Sequence, residues 1–226
     1  MGGQSEITFQ LLDGTQAAAH ADELRALHAE VYGRDEDGSF AGRFRVARRQ
    51  PGFVLAEARH GGYLVGYASG MPLRPSTSWW RGLTAPLPAE VTAEHAGRTF
   101  ALTDLLVRAS WRRQGIARAL HDLVLADRPE ERATLTVLPA AAAAQHAFRA
   151  WGWRKVARAR DPGPGGPVRD VLLAALPLSG VRGRLRQRPR SYVAAGANDT
   201  NGCCGTGWSQ GWPSTILCCI MNALAA

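Results

Sequence analysis

Thr99 to Leu125 reads TFALTDLLVRASWRRQGIARALHDLVL, and the fold turns on how this stretch divides. Thr99 to Arg108 is rich in β-branched and apolar residues, with Asp104 its single acid, and predicts a largely buried strand. From Gly115 to Leu125, the residues Ile116, Ala119, Leu120, Leu123 and Val124 recur at helical spacing and give a helix one apolar face. Between the two lies a basic turn, Ala109-Ser110-Trp111-Arg112-Arg113-Gln114, that ends on Gly115. A strand passing through such a turn into a helix start builds a site for an anion. The first helical amides have no intrahelical acceptor, and the helix dipole is positive there. Gly115 permits close backbone approach, Ala117 keeps the first turn uncluttered, and Arg112 and Arg113 supply charge-assisted donors suited to phosphate. Neither a Walker lysine nor a GxGxxG run occurs, so the sequence does not point to nucleoside-triphosphate or dinucleotide binding.

Working outward, Arg132 to Leu138 reads as another strand. Thr99 to Leu138 is then a strand–helix–strand crossover and predicts a right-handed parallel pair inside a mixed sheet. The alanine-rich run Ala140 to Trp151 predicts a helix, and Val156–Arg160 with Val168–Leu176 a final strand pair around the loop from Asp161 to Pro167. Upstream, Ile7–Leu12 is a short strand closed by Asp13-Gly14, and Thr15 is the candidate N-cap of a helix through Ala17, Leu24, Leu27 and Val31. A second helix from Ser39 to Arg49 ends before Pro51. Phe53–Arg59 and Tyr63–Pro72 are strands joined at Gly61-Gly62, a hairpin signal. Arg74 to Gly97 has no sustained period and is expected as a substrate-facing loop or a surface excursion. The resulting order is β-α-α-β-β-β-α-β-α-β-β with a C-terminal extension, an α/β chain built on a mixed sheet.

Arg112-x-x-Gly115-x-Ala117, preceded by Leu105-Leu106-Val107, resembles the acetyl-CoA-binding motif of the GNAT N-acetyltransferases, (Q/R)-x-x-G-x-(G/A). Phe148-Arg149-Ala150-Trp151-Gly152-Trp153 is similar to the end of a family helix, Y-x-x-x-G-F. The resemblance covers residues 5–177. It implies a GNAT-like acyl-CoA N-acyltransferase fold whose sheet splays between the fourth and fifth strands. It also implies acetyl-CoA as co-substrate, with the main chain of Leu105 and Val107 on the pantetheine arm. The amides of Arg113, Gln114, Gly115, Ile116 and Ala117, beside Arg112, would hold the pyrophosphate. The implied reaction is direct acetyl transfer to a primary amine of a small molecule or peptide. Oligomeric state stays open, a homodimer included.

Transfer to an amine needs a neutral nucleophile, a stabilised oxyanion and a proton for the departing thiolate. Members of the family place a carboxylate on the fourth strand as base. Asp104 is the only acid on that strand and is the candidate, weighed evenly against a polar residue on a partly solvated strand face. Glu57 on the second strand is the weaker candidate. The usual general acid is a tyrosine where this chain has Phe148, and Ala141 stands near the place of a frequent asparagine. Either water or another group then protonates the thiolate, or the chain binds CoA without catalysis. Tyr67 and Tyr63 on the third strand are cleft-facing, core or surface rings. Acceptor specificity is expected from the first helices (Arg25 to Arg49), from Trp79 and Trp80 as walls of a substrate slot, and from the loop after Asp161. Packing of one of the two indoles is the blander reading. The six histidines lack ligand spacing, so no metal is expected, and His121 and His146 are read as solvated helix residues.

Composition separates a domain from a remainder. The 226 residues carry 27 Lys and Arg against 19 Asp and Glu, a formal charge of +8, and 46% are hydrophobic, too apolar for a wholly disordered chain. Residues 1–177 are expected as the domain, 178–197 as a basic linker with five arginines, and 198–226 as a tail. All four cysteines (Cys203, Cys204, Cys218, Cys219) lie in the tail, so the domain has no thiol nucleophile and no disulfide, in keeping with direct transfer. Vicinal cysteines make a poor zinc framework. No apolar run reaches the ~20 residues of a membrane span, and the N-terminus lacks a secretory pattern, so the expected location is the cytoplasm. The linker arginines are not interleaved with aromatics, which argues against a nucleic-acid partner. The Ser/Thr/Cys-rich terminus after a leader-like segment resembles the core region of lanthipeptide precursors, which implies a tail-modifying enzyme as partner. A terminal extension without special role is the favoured alternative.

Overall fold

The structure, a computed structural model, describes residues 6–32, 39–163 and 165–178; most of the basic linker and the whole cysteine-bearing tail lie outside the described residues. The elements in chain order are β1 (Ile7–Asp13), α1 (Ala21–Tyr32), α2 (Ser39–Ala47), β2 (Val54–His60), β3 (Tyr63–Pro72), a short α3 (Ala89–Thr92), β4 (Thr99–Val107), α4 (Ile116–Leu125), β5 (Arg132–Val137), α5 (Ala142–Ala150), β6 (Arg154–Arg160) and β7 (Val168–Ala175). The strands make one sheet in the order β1-β2-β3-β4-β5-β7-β6. Every neighbouring pair is antiparallel except β4 and β5, joined in parallel by the α4 crossover. Gly61 and Gly62 turn the β2–β3 hairpin with φ of 56° and 85°, a left-handed pair that matches strand twist. The helical entry after β1 differs from expectation in its cap. The amides of Thr15 and Gln16 donate to Asp13 Oδ1, both at 2.8 Å, while the Thr15 side chain makes no cap bond.

Helices cover both faces of the sheet. On one, Leu120, Leu123 and Val124 of α4 pack with Ala58, Val65, Phe100, Leu105 and Val107, and Ala144 and Phe148 of α5 join Leu135, Val137 and Leu172 in the same cluster. Full burial of a side chain such as Leu120 contributes about 1.5–3 kcal/mol. Close approach of α4 depends on Gly66, where a Cβ would stand 2.7 Å from the Leu106 carbonyl oxygen and 3.3 Å from Leu120. On the opposite face, Leu24 and Leu27 of α1 and Phe40 and Phe44 of α2 pack on Leu55, Tyr67, Met71 and Leu106.

The segment between β3 and β4 runs over the surface and is anchored by a packed indole. Trp79 is buried with Leu73 and Ala101, and its indole N–H donates to Thr134 Oγ1 at 3.2 Å. The chain then reaches the far edge of the sheet, where the Thr84 amide donates to the Arg158 carbonyl and the Arg160 amide to the Gly82 carbonyl. Edge strand β6 is thereby covered in part. His121 is a second correction. Trp151, Trp153 and Phe148 enclose it, with ring centroids 4.7, 5.9 and 6.5 Å away, and it has no solvent exposure. The Trp153 indole N–H donates to His121 Nε2 at 2.9 Å. An indole only donates, so Nε2 carries no proton, and Nδ1 is the atom that donates to Asp122 Oδ1 at 2.9 Å. His146 is exposed, as expected.

Candidate active site

The centre of the site is a fork in the sheet. β4 and β5 pair only at Thr99–Arg132, Phe100–Ala133 and Ala101–Thr134; beyond that, β5 continues along β7 while β4 continues along β3 alone. A bulge lies just past the fork, because Ser69 pairs with Asp104 and Gly70 with Leu102, leaving Thr103 as the extra residue. It resets the alternation of side chains. Phe100 and Leu102 before it, and Leu105 and Val107 after it, all join the cluster under α4.

The bulge also decides which main-chain groups meet the vacated side. The Arg108 amide donates to the Val65 carbonyl on β3 at 2.9 Å. A trans peptide points its carbonyl opposite to its N–H, so the Val107 carbonyl faces away from β3. Strand alternation turns the N–H and C=O of both Val107 and Leu105 the same way, toward the space that β5 leaves. The Val107 carbonyl accepts from Arg112 Nε at 3.2 Å and keeps a second lone pair for another donor.

The vacated strand edge runs into the basic turn. Arg113 has φ 64°, the only positive value at a non-glycine residue among the described ones, and Gly115 has φ 77°. Left-handed residues in such a turn aim successive amides into one concavity. Gly115 is the N-cap of α4 and no side chain caps the helix, so its first amides point outward without a side-chain acceptor. Arg113, Gln114 and Gly115 are exposed, whereas Ile116 and Ala117 are buried by the sheet. This turn contains all of the motif residues predicted for phosphate, within one strand-to-helix connection.

Asp104 lies three residues beyond the last paired residue, Ala101, and lines a cleft on the face opposite α4. Helix α2 contributes Phe40, Arg43, Phe44 and Ala47 to that cleft, and Phe53, Ser69 and Thr103 complete it. Ser69 Oγ donates to Asp104 Oδ2 at 2.6 Å, and the Thr103 hydroxyl donates to the Ser69 carbonyl at 3.1 Å. The carboxylate is thus held by a serine from the neighbouring strand. Sequence reasoning did not single out Ser69, Arg43, Phe40 or Phe44; only the register of β3 on β4 and the docking of α2 bring them to Asp104.

Other predicted residues lie elsewhere. Glu57 is fully buried under α1, and it accepts from Arg59 Nε at 2.8 Å and meets His20 Nδ1 at 2.8 Å. Hydrogen bonding to Glu57, then to Glu23, raises the Arg59 pKa, so Glu57 is the anchor of an ion-pair cluster and does not line the cleft. Tyr67 is a core ring packed with Leu106, and Tyr63 is a surface ring with the Arg108 guanidinium 4.5 Å above it. Trp79 is packed, as described above. Trp80 is partly buried and donates to Glu94 Oε1 at 2.9 Å, so neither indole walls the cleft beside Asp104. Phe148 is fully enclosed by Trp151, Trp153 and His121. Among the described residues there is no group of three or more His, Cys, Asp or Glu that holds a metal, and no helix long and apolar enough to cross a membrane.

Comparison with known proteins agrees with this architecture. Several solved structures share the fold over nearly their whole length. The ribosomal-protein-S18-alanine N-acetyltransferase of Escherichia coli superposes with a TM-score of 0.54 at 14% identity, covering 77% of this chain and 97% of its own. Arabidopsis thaliana NAA60, solved in complex with acetyl-CoA, gives 0.55 at 17% identity, covering 76% and 100%. An aminoglycoside 6'-acetyltransferase type Ii gives 0.53 at 15% identity, covering 74% and 96%. At such identities the likeness speaks to the fold. No curated protein matches the sequence. Residues 18–153 match the model of the Acetyltransferase (GNAT) family, a span that includes the fork, the basic turn and Asp104; the chain belongs to that family.

Proposed function

We propose that the chain transfers the acetyl group of acetyl-CoA directly to a primary amine of a small molecule or peptide. The observation that carries this reading is the vacated side of β4, where the main-chain groups of Leu105 and Val107 lead on to the amides of Arg113–Ala117. An extended amide-bearing arm adds to an open strand edge through the same bonds as a further strand. A pyrophosphate suits an uncapped helix start flanked by Arg112 and Arg113. Pantetheine joined to a pyrophosphate has both features in that order, and NAA60 binds acetyl-CoA, which supports the assignment.

Asp104, on the other face of β4, accepts a proton from the acceptor ammonium, directly or through one water. Ser69 orients the carboxylate through its 2.6 Å bond. The neutral amine then attacks the thioester carbonyl, forming the C–N bond; its nitrogen gives a second proton to solvent, and the C–S bond breaks to release thiolate. Phe148 has no hydroxyl to give, so solvent supplies the thiolate's proton. Residues 1–177 contain no cysteine, which favours transfer without a covalent thioester on the protein.

The buried phenyl of Phe148 favours one second reading, a CoA-binding module without catalysis. Titrating acetyl-CoA while following thiol release across a panel of amines separates the two. Release that saturates with both substrates is expected. Saturable acetyl-CoA binding with no release from any amine overturns the transfer.

A further inference from the structure

We propose that Arg118 is the residue by which the chain recognises the 3'-phosphate of coenzyme A, held for that contact by Asp122 and Trp151; this rests on the acetyl-CoA reading above. Arg112 and Arg113 flank the turn assigned to the diphosphate, which leaves Arg118, just inside the helix, without a role. It is the third residue of α4, about 4.5 Å along the helix axis from the N-cap Gly115. Coenzyme A carries its 3'-phosphate and its 5'-diphosphate on one ribose. The cation that serves the first must therefore stand close to the seat of the second.

The Arg118 side chain is fixed in two ways. Its Nε donates to the Asp122 carboxylate one turn along the helix, 2.8 Å from Oδ1 and 2.9 Å from Oδ2. Asp122 is buried and meets His121 Nδ1 at 2.9 Å, so the anchor is itself held. The guanidinium also lies 5.2 Å from the centre of the Trp151 ring, a cation–π contact. Trp151 is wedged in turn by His121 at 4.7 Å and by Phe148, edge-on, at 5.5 Å. Both anchors leave the far edge of the guanidinium alone. Nη1 and Nη2 make no hydrogen bond to any described residue, and the side chain keeps 23% of its surface exposed. A planar fork pinned at its Nε end presents two parallel donors, the geometry that suits a phosphate. The rotamer freedom that a solvated arginine would lose on binding is already gone.

The test measures, by calorimetry on the full chain, the affinities for CoA and for 3'-dephospho-CoA, which differ in that phosphate alone. CoA is expected to bind about tenfold tighter or more, the effect of one charge-assisted hydrogen bond. Arg118→Gln is expected to bring the two ligands within about twofold of each other, by weakening CoA while dephospho-CoA keeps its affinity. Arg118→Lys, a point charge without the fork, is expected to keep part of the preference. A residue that only clamps α4 to Trp151 gives another pattern: a lower melting temperature, with both ligands weakened alike or neither changed. That pattern overturns the proposal. Equal binding of the two ligands by the unmodified chain overturns it without any variant, and so does a preference that survives Arg118→Gln. In each of these cases CoA still binds and the acetyl-CoA reading stands; binding of neither ligand overturns that reading itself.

Discussion

Thr99–Ala101 and Leu102–Val107 belong to one strand, yet only the first three residues pair with β5, while β3 pairs the strand from Phe100 onward. The paired end is sealed by a network made from distant pieces of chain. Arg132 Nε donates to the Thr99 hydroxyl at 2.8 Å, that hydroxyl donates to Glu94 Oε1 at 2.9 Å, and Arg132 and Trp80 donate to the same carboxylate oxygen at 2.9 Å each. At the other end, main-chain groups and helical amides face outward, and the carboxylate of Asp104 lines a cleft. A strand that is closed at one end and open at the other holds its open half in place without filling it.

Changes at the two ends therefore have different readouts, and the largest effect is expected at the open end. Gly115→Glu forces an L side chain into φ 77° and puts an anion at the helix start. Acetyl-CoA binding measured by calorimetry is expected to vanish while the circular dichroism spectrum stays that of the parent. Retained affinity would move the anion site away from this turn. Asp104→Asn keeps an acceptor for Ser69 and removes the proposed base. A loss in kcat of about 10²–10⁴ is expected, with acetyl-CoA affinity unchanged and the pH dependence of kcat/KM losing its acidic limb. A variant that instead melts early and turns over normally would assign Asp104 to the structural side of the comparison.

At the closed end the order reverses. Trp79→Ala removes a buried indole with its bond to Thr134, and a loss of about 3–5 kcal/mol in denaturant unfolding is expected. Turnover per folded molecule should hold. A change in acceptor KM at undiminished stability would return Trp79 to the role of a slot wall and break the division drawn here.

The contrast also marks what the linear chain reveals. The strand, basic turn and helix from Thr99 to Leu125 are legible because the apolar period and the glycine are local. The bulge at Thr103 is not. β4 is apolar on both faces, so an inserted residue leaves no break in pattern. Trp79 and Trp80 look equivalent until Thr134 and Glu94 are brought to them, and Glu57 reads as a candidate base until His20 and Arg59 enclose it. The cleft beside Asp104 is the least legible part, because Phe40, Arg43 and Phe44 reach it only by the docking of α2 on the β3–β4 register.

His121 provides the smallest and most local test of the division, because it lies on α4 itself, behind the open end. Its Nε2 is buried and takes its hydrogen bond from Trp153, the first residue beyond α5 and its turn. Trp153→Phe keeps most of the ring volume and deletes the indole N–H that donates to buried His121 Nε2. A cost of about 1–3 kcal/mol in unfolding free energy is expected. If α4 owes its position to the sheet beneath it, through Leu120 and Gly66, acetyl-CoA affinity should stay within about twofold, below the ~0.4 kcal/mol that such a ratio represents. A parallel fall in affinity would show that the anion-binding turn depends on the aromatic cluster between α4 and α5 as well. The open end would then be held from both sides of the cleft rather than from the closed end of β4 alone.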